Sequence, residues 1–208
     1  MTYSNKVISQ TYPAHDYDNG FCKVCNAYEP AAQNADGVYE IGNAGQLYWF
    51  ADKVNNENET YTNANAVLTA NIVVNENVLD DNGELNSGTF EKWKPIGSGT
   101  NQYIGTFDGK DHTVSGLYFN NTDEFFIGLF GYVGIGGKIS NVGVINSYFN
   151  GEYYVGGVCG YNDQGAITDC YNTGAVSGTK AHCVGGVCGQ NGNGTITNCY
   201  NTGAVSGA

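Results

Sequence analysis

Residues 155–178 read "VGGVCGYNDQGAITDCYNTGAVSG", and residues 184–207 read "VGGVCGQNGNGTITNCYNTGAVSG". Nineteen of the twenty-four paired positions are identical, at an offset of 29 residues. A unit this short cannot bury its own apolar face, so it must stack on a neighbour and share a core with it. The strand pieces span four to six residues, with glycines at the corners and no crossover helix between them. That pattern predicts a mostly β protein, a parallel β-helix with rungs ~4.8 Å apart. Like positions then pile into columns. We expect Phe130, Cys159 and Cys188 in one, Val142, Cys170 and Cys199 in a second, and Ile139, Ile167 and Ile196 in a third.

Upstream, the same rhythm is weaker. "GTFDG" (105–109), "GLFG" (128–131) and the two "GVCG" stretches are expected at equivalent places, as are "HTVSGLYF", "GKISNVGV", "AITDCYN" and "TITNCYN". The spacing is read as shortening away from the last pair, with two or three short strands per unit. In "VYEIGNAGQLYWFADKVNNE", Leu47, Phe50, Ala51 and Val54 form one apolar stripe, and Asn43 with Gln46 resembles a capping box. These features predict a capping helix over residues 44–55. "AVLTANIVV" (66–74) alternates with period two and predicts one strand. The expected organisation is an irregular, cysteine-containing segment (1–37) followed by the β-helix (38–208). Its first part (38–92) supplies the capping helix, first strand and a loop, and residues 93–208 supply the repeat coils.

Composition narrows the function. The 208 residues include 31 glycines, 16 tyrosines and no arginine, with a formal net charge of −12. Such a surface repels phosphodiester backbones and anionic headgroups, so neither nucleic-acid binding nor membrane insertion is expected. Nothing in "MTYSNKVISQTYPA" reads as an export signal, and no run approaches the ~20 apolar residues of a membrane span. The chain is expected to belong to a longer extracellular or cell-surface protein, its export signal removed or lying elsewhere. An uncapped last rung would leave open strand edges, so further rungs or end-to-end self-association are expected.

Seven cysteines leave at least one unpaired. In-register neighbours on parallel strands stand too far apart for a relaxed disulfide, so Cys159/Cys188 and Cys170/Cys199 are expected to be buried free thiols. Cys183 stands where the preceding unit has Tyr154, as a further packed side chain or a reactive one. His15, Cys22 and Cys25 fall within "HDYDNGFCKVC", where Cys-x-x-Cys on a turn is half of a zinc knuckle. A structural zinc there needs a fourth ligand from Asp16, Asp18 or water. A local disulfide or a free pair is the other reading. His112 and Asp108 in "FDGKDHT" could form an acid–base pair but read better as turn formers. His182 sits on a loop without a nucleophile near it. The carboxylates could serve glycoside cleavage, yet the scattered lysines offer no clamp for an acidic sugar. Tyr171 and Tyr200, one rung apart, are expected either to pack together or to form an exposed aromatic ladder for sugar rings or a protein.

"GLFG", "VGGVCG", "ITNCYNTGAV" and "WKPIG…GTFDGKDHTVSGL" resemble the GLUG-motif repeats of bacterial surface proteins over residues 93–208. The stretch "YEIGNAGQLYWFADKVN…AVLTANIVV" is similar to the entry segment that precedes such repeats. "HDYDNGFCKVCNAYEP" is similar to short Cys-x-x-Cys modules of exported proteins from anaerobic gut bacteria, without their upstream cysteine. The resemblance implies a right-handed parallel β-helix on a large surface or secreted protein. It also implies kinship with non-catalytic regions of proteins similar to IgA-specific metallopeptidases. It transfers no catalytic residue, because the shared motif consists of glycines, core apolars and turn formers. Gly-Val-Cys-Gly in place of Gly-Leu-Phe-Gly narrows the core at the last two rungs. The expected role is a non-catalytic, adhesin-like scaffold whose partner is a host or bacterial surface protein or a glycan. The alternative is a carbohydrate-active enzyme or glycan-binding module on one face of the helix.

Overall fold

In the computed structural model, which describes residues 15–56, 61–180 and 183–207, the two near-identical units lie directly over one another. Cys159 pairs with Cys188, Ile167 with Ile196, Tyr171 with Tyr200 and Val176 with Val205, all in parallel register. The molecule is a parallel β-solenoid of about six turns. Each complete turn carries five strands, more than the two or three expected. The last turn but one runs through Tyr153–Gly156, Cys159–Asp163, Ala166–Thr168, Tyr171–Asn172 and Ala175–Gly178. Strands of two to five residues are too short to separate from their corners by hydropathy alternation alone. They build five parallel-stacked sheets, the longest of which runs from Thr195–Thr197 back to Tyr39–Ile41.

The corners repeat as faithfully as the core. Asp111, Asn141, Asp169 and Asn198 all adopt left-handed backbone, with φ between 52° and 63°. Asn and Asp tolerate that region better than other residues carrying a Cβ. The first three corners also hand their N–H groups to the next rung: Asp111 to the Asn141 carbonyl, Asn141 to that of Thr168, and Asp169 to that of Thr197. Buried asparagines form internal ladders of the same kind. Asn172 Nδ2 donates to Asn201 Oδ1 at 2.8 Å and to the Gly174 carbonyl at 2.9 Å. Asn162 Nδ2 likewise donates to Asn191 Oδ1 at 2.8 Å. Asn162 Oδ1 lacks a partner, and the residue facing it in the preceding rung is Val133, which offers no side-chain donor.

The expected columns are present. Phe107, Ile139, Ile167 and Ile196 form one, and Phe130, Cys159 and Cys188 another. Val142 and Cys170 are buried at neighbouring heights, and Cys170 N–H meets Cys199 Sγ at 3.4 Å. All seven cysteines are free. Burial holds only for Cys159 and Cys170 in the two repeat pairs. Cys188 and Cys199 are half-exposed because they belong to the last described rung. Burial pushes the Cys159 thiol well above its ordinary value, and the adjoining Cys199 thiol together with burial does the same for Cys170. The inner members are therefore neutral packing groups.

Three upstream readings change. "GTFDG" does not align with "GLFG": Thr106–Asp108 pairs with Lys138–Ser140, and Ile96 of "KPIG" sits beside Phe130. Several corners carry glycine, so the glycine rhythm alone leaves the register ambiguous by one face. Spacing does not shorten steadily either. Partners Thr106, Lys138, Ala166 and Thr195 stand 32, 28 and 29 residues apart. The stretch 66–74 is two strands, Ala66–Leu68 and Ile72–Val73, which belong to different sheets. A corner at Thr69–Asn71 preserves the inward positions while turning the chain.

The helix, α1 (Ala44–Asn56), ends within one residue of expectation. Gln46 N–H donates to Asn43 Oδ1 at 2.9 Å, and Gln46 Oε1 reaches back to the Gly42 N–H at 2.7 Å. Leu47, Phe50, Ala51 and Val54 are buried. Phe50 packs edge-on to Tyr103 and tilts against Phe107, so the helix seals the upstream end of the core.

Candidate functional site

Three arrangements carry chemistry: a thiol–imidazole cluster, a wall of aromatic rings and a tyrosine pair. The cluster begins with a feature the sequence reading treated as irregular. Tyr17–Asp18 and Phe21–Cys22 form an antiparallel hairpin. Its turn is Asn19-Gly20, with φ of 47° and 80°. Positive φ at both central residues matches the strand twist and is why Asn-Gly closes two-residue hairpins. The chain then folds through a tight turn in which Cys22 N–H donates to the Ala27 carbonyl and Asn26 N–H to the Cys22 carbonyl. That turn swings Cys25 back toward Cys22. His15 Nδ1 lies 3.2 Å from Cys22 Sγ and 3.4 Å from Cys25 Sγ. The three ligand atoms all fall within 4.8 Å of one another. Hydrogen bonding from His15, aided by the Val24 and Cys25 N–H groups, lowers the Cys22 thiol to about 6. Cys22 is buried, while His15 and Cys25 are exposed.

The hairpin docks on the start of α1. Asn19 accepts from Gly45 N–H through its carbonyl and from Ala44 N–H through Oδ1, while its Nδ2 donates to the Val73 carbonyl. Two otherwise unpaired helix-start donors are thereby satisfied from outside the helix. Gly20 and Gly45 touch backbone to backbone, and a Cβ on Gly45 would come within 1.9 Å of the Gly20 carbonyl oxygen. Phe21, Tyr28, Tyr48 and Trp93 continue the contact as a chain of rings with centroids 5.0–5.8 Å apart.

The aromatic wall escaped the sequence reading. Phe125 stacks on Tyr153 with centroids 5.4 Å apart and planes 8° off parallel, and Phe126 stacks on Tyr154 at 5.1 Å and 7°. Tyr132 and Tyr161 close the group at 4.9 Å. The signal was the doublet "FF" before "IGLFG" and "YY" before "VGGVCG", 28 residues apart. Phe126 and Tyr154 both hold left-handed backbone (φ 63° and 55°), a costly conformation for bulky side chains. Burial and the Asp163 carboxylate, which accepts from its hydroxyl, push the Tyr132 phenol up to about 12. A cleft of about 390 Å³ adjoins the wall, lined by Lys92, Lys94, Asn120, Glu124, Phe125 and Phe126 among others. Cys183 follows Tyr154 in the column and ends the stack; its thiol bonds Gln190 Oε1 at 3.2 Å.

Tyr171 and Tyr200 do meet, 5.0 Å apart and 3° from parallel, with Tyr200 the more exposed. The Tyr171 ring lies over Gly143, where a Cβ would come within 2.3 Å of it. No acid–base pair forms at His112. Its Nδ1 sits 3.2 Å from Asn71 Oδ1, while Asp108 bonds Asn141 and Lys110 and closes a turn through the Lys110 N–H. His182 lies outside the described residues.

These features define a parallel β-solenoid with stacked surface aromatics and a docked N-terminal hairpin. The family model of the GLUG motif matches residues 151–177 and 180–206, the last two rungs. Among curated proteins, the chain is 35% identical over 60 residues to a proposed Gly-rich membrane protein of Evansella cellulosilytica, across 29% of this chain and 7% of that one. It is 29% identical over 145 residues to halomucin of Haloquadratum walsbyi, across 69% of this chain and 2% of that one. This chain thus spans only a small fraction of either relative's length. Among solved structures, a crystal structure of a proposed immunoglobulin A1 protease from Bacteroides ovatus matches with a TM-score of 0.55 and 21% identity. The match covers 88% of this chain and 62% of that one, and at that identity it speaks to the fold alone. Among the described residues, no helix is long and apolar enough to cross a membrane.

Proposed function

We propose that the chain is a non-catalytic, adhesin-like scaffold segment of a larger surface or secreted protein, and that it presents its aromatic wall to glycans. The observation that carries this reading is the wall itself. Stacked rings stand in register on a rigid sheet, with Phe125 45% exposed. The ring edges left open along the stack offer apolar area to the C–H faces of sugar rings. The adjoining cleft supplies amide, carboxylate and lysine groups for hydroxyls. Similarity to halomucin and to a Gly-rich membrane protein supports the surface setting. The acidic, arginine-free composition suits neutral rather than anionic glycans.

The test is a glycan array, followed by titration calorimetry on any hit and a pulldown against mucins. Binding to neutral glycans that is lost in Phe125→Ala/Tyr153→Ala supports the reading. Silence in both assays reduces the chain to a spacer. Turnover of a bound glycan would favour a carbohydrate-active enzyme instead.

A further inference from the structure

We propose that His15, Cys22 and Cys25 bind one zinc ion, which locks the N-terminal hairpin onto the upstream end of the solenoid. This goes beyond the scaffold reading and does not depend on it. The donor set is two thiols and an imidazole, the soft and borderline ligands that select zinc over magnesium or calcium. The geometry agrees. With Zn–S near 2.3 Å and Zn–N near 2.05 Å, tetrahedral coordination separates nitrogen from sulfur by roughly 3.6 Å. The observed separations are 3.2 and 3.4 Å, so the atoms need move only a few tenths of an ångström to admit the ion. Two thiolates and a neutral imidazole balance the charge of Zn²⁺. Three protein ligands leave a fourth position, which solvent completes.

The placement gives the ion its role. His15 precedes the first hairpin strand, Cys22 ends the second, and Cys25 lies on the turn beyond. One ion therefore ties both ends of the hairpin, while its tip, Asn19-Gly20, caps α1 and reaches Val73. Ligands held by separate segments make metal affinity and local order the same free energy. Removing the metal should loosen the hairpin before the solenoid, since the rungs are held by their own ladders.

The experiment uses the full chain, reduced and without a histidine tag. Cobalt(II) titration should show one ion per chain, with thiolate-to-cobalt charge-transfer bands and tetrahedral d–d intensity, displaced by zinc. Cys25 is exposed, so Cys25→Ser should fold normally. Its affinity should fall by more than the ~10–100-fold that loss of an outer-shell partner costs. Lys23 lies inside the chelate loop with its side chain 52% exposed and provides an independent readout. Zinc should slow tryptic cleavage after Lys23 at least roughly tenfold, because cleavage requires local opening, and a chelator should restore it. A reduced chain that binds no cobalt, or a Cys25→Ser variant with unchanged affinity and protection, overturns the assignment.

Discussion

Replacing Ile167 by alanine removes three carbons from the middle of a column whose members are otherwise alike. Ile167 is fully buried between Ile139 and Ile196. At about 0.8 kcal/mol per buried methylene, the transfer loss is about 2.4 kcal/mol. The closed cavity left between two rungs brings the expected cost to about 3–4 kcal/mol, within the ~2–5 kcal/mol found for such truncations. Ile139→Ala should cost nearly the same, since Ile139 is 1% exposed. Ile196→Ala is the internal control. Ile196 is 38% exposed, so scaling the transfer loss by its buried share gives about 1.5 kcal/mol, and the space left opens to solvent. Urea unfolding followed by circular dichroism at low protein concentration reads all three. Equal costs for Ile167 and Ile196, or a cost below about 1 kcal/mol at Ile167, would refute the claim that burial grades along the column.

Other perturbations probe separate parts of the molecule. Gly143→Ala places a methyl group into the Tyr171 ring, so the Tyr171–Tyr200 stack should splay. The near-ultraviolet tyrosine dichroism should fall while the far-ultraviolet spectrum persists; an unchanged near-ultraviolet spectrum would place the rings elsewhere. Burial alone would raise the Asp108 carboxyl, but hydrogen bonds from Asn141 and Lys110 outweigh it and hold the group below its ordinary value of 3.8. The stability it contributes is present above that value and lost as pH falls below it. Asp108→Asn should therefore be less stable at neutral pH and flatter below about pH 4, and parallel acid-unfolding curves for the two proteins would contradict this. In the last described rung, Ile196, Tyr200 and Val205 are exposed beside an open strand edge. Concentration-dependent association should appear in sedimentation and be suppressed by Val205→Lys; association that ignores the substitution would locate the contact elsewhere.

The solenoid and its columns were legible because identity at 19 of 24 positions, with apolar residues fixed in place, leaves few folds open. The upstream register was not. Glycine marks several corners of every turn, and strand pairing, as of Thr106–Asp108 with Lys138–Ser140, decides which corner is which. The division of residues 66–74 into two strands was hidden for a related reason. A solenoid corner keeps the inward residues inward, so alternation runs through it unbroken. The metal-type cluster was visible as residues and not as geometry. His15 and Cys25 are brought together by the Asn19-Gly20 hairpin and the turn through Asn26, whose φ is 56°. The aromatic wall was missed because each doublet reads as ordinary strand sequence until stacking sets one above the other.

Nuclear Overhauser contacts between selectively labelled isoleucine δ1-methyl groups probe the stacking of rungs most directly. The account predicts strong cross-peaks from Ile167 to both Ile139 and Ile196. It predicts none between Ile139 and Ile196, which stand two rungs, ~9.6 Å, apart. A missing Ile139–Ile167 contact, or one from Ile167 to Ile135 in its place, would contradict it.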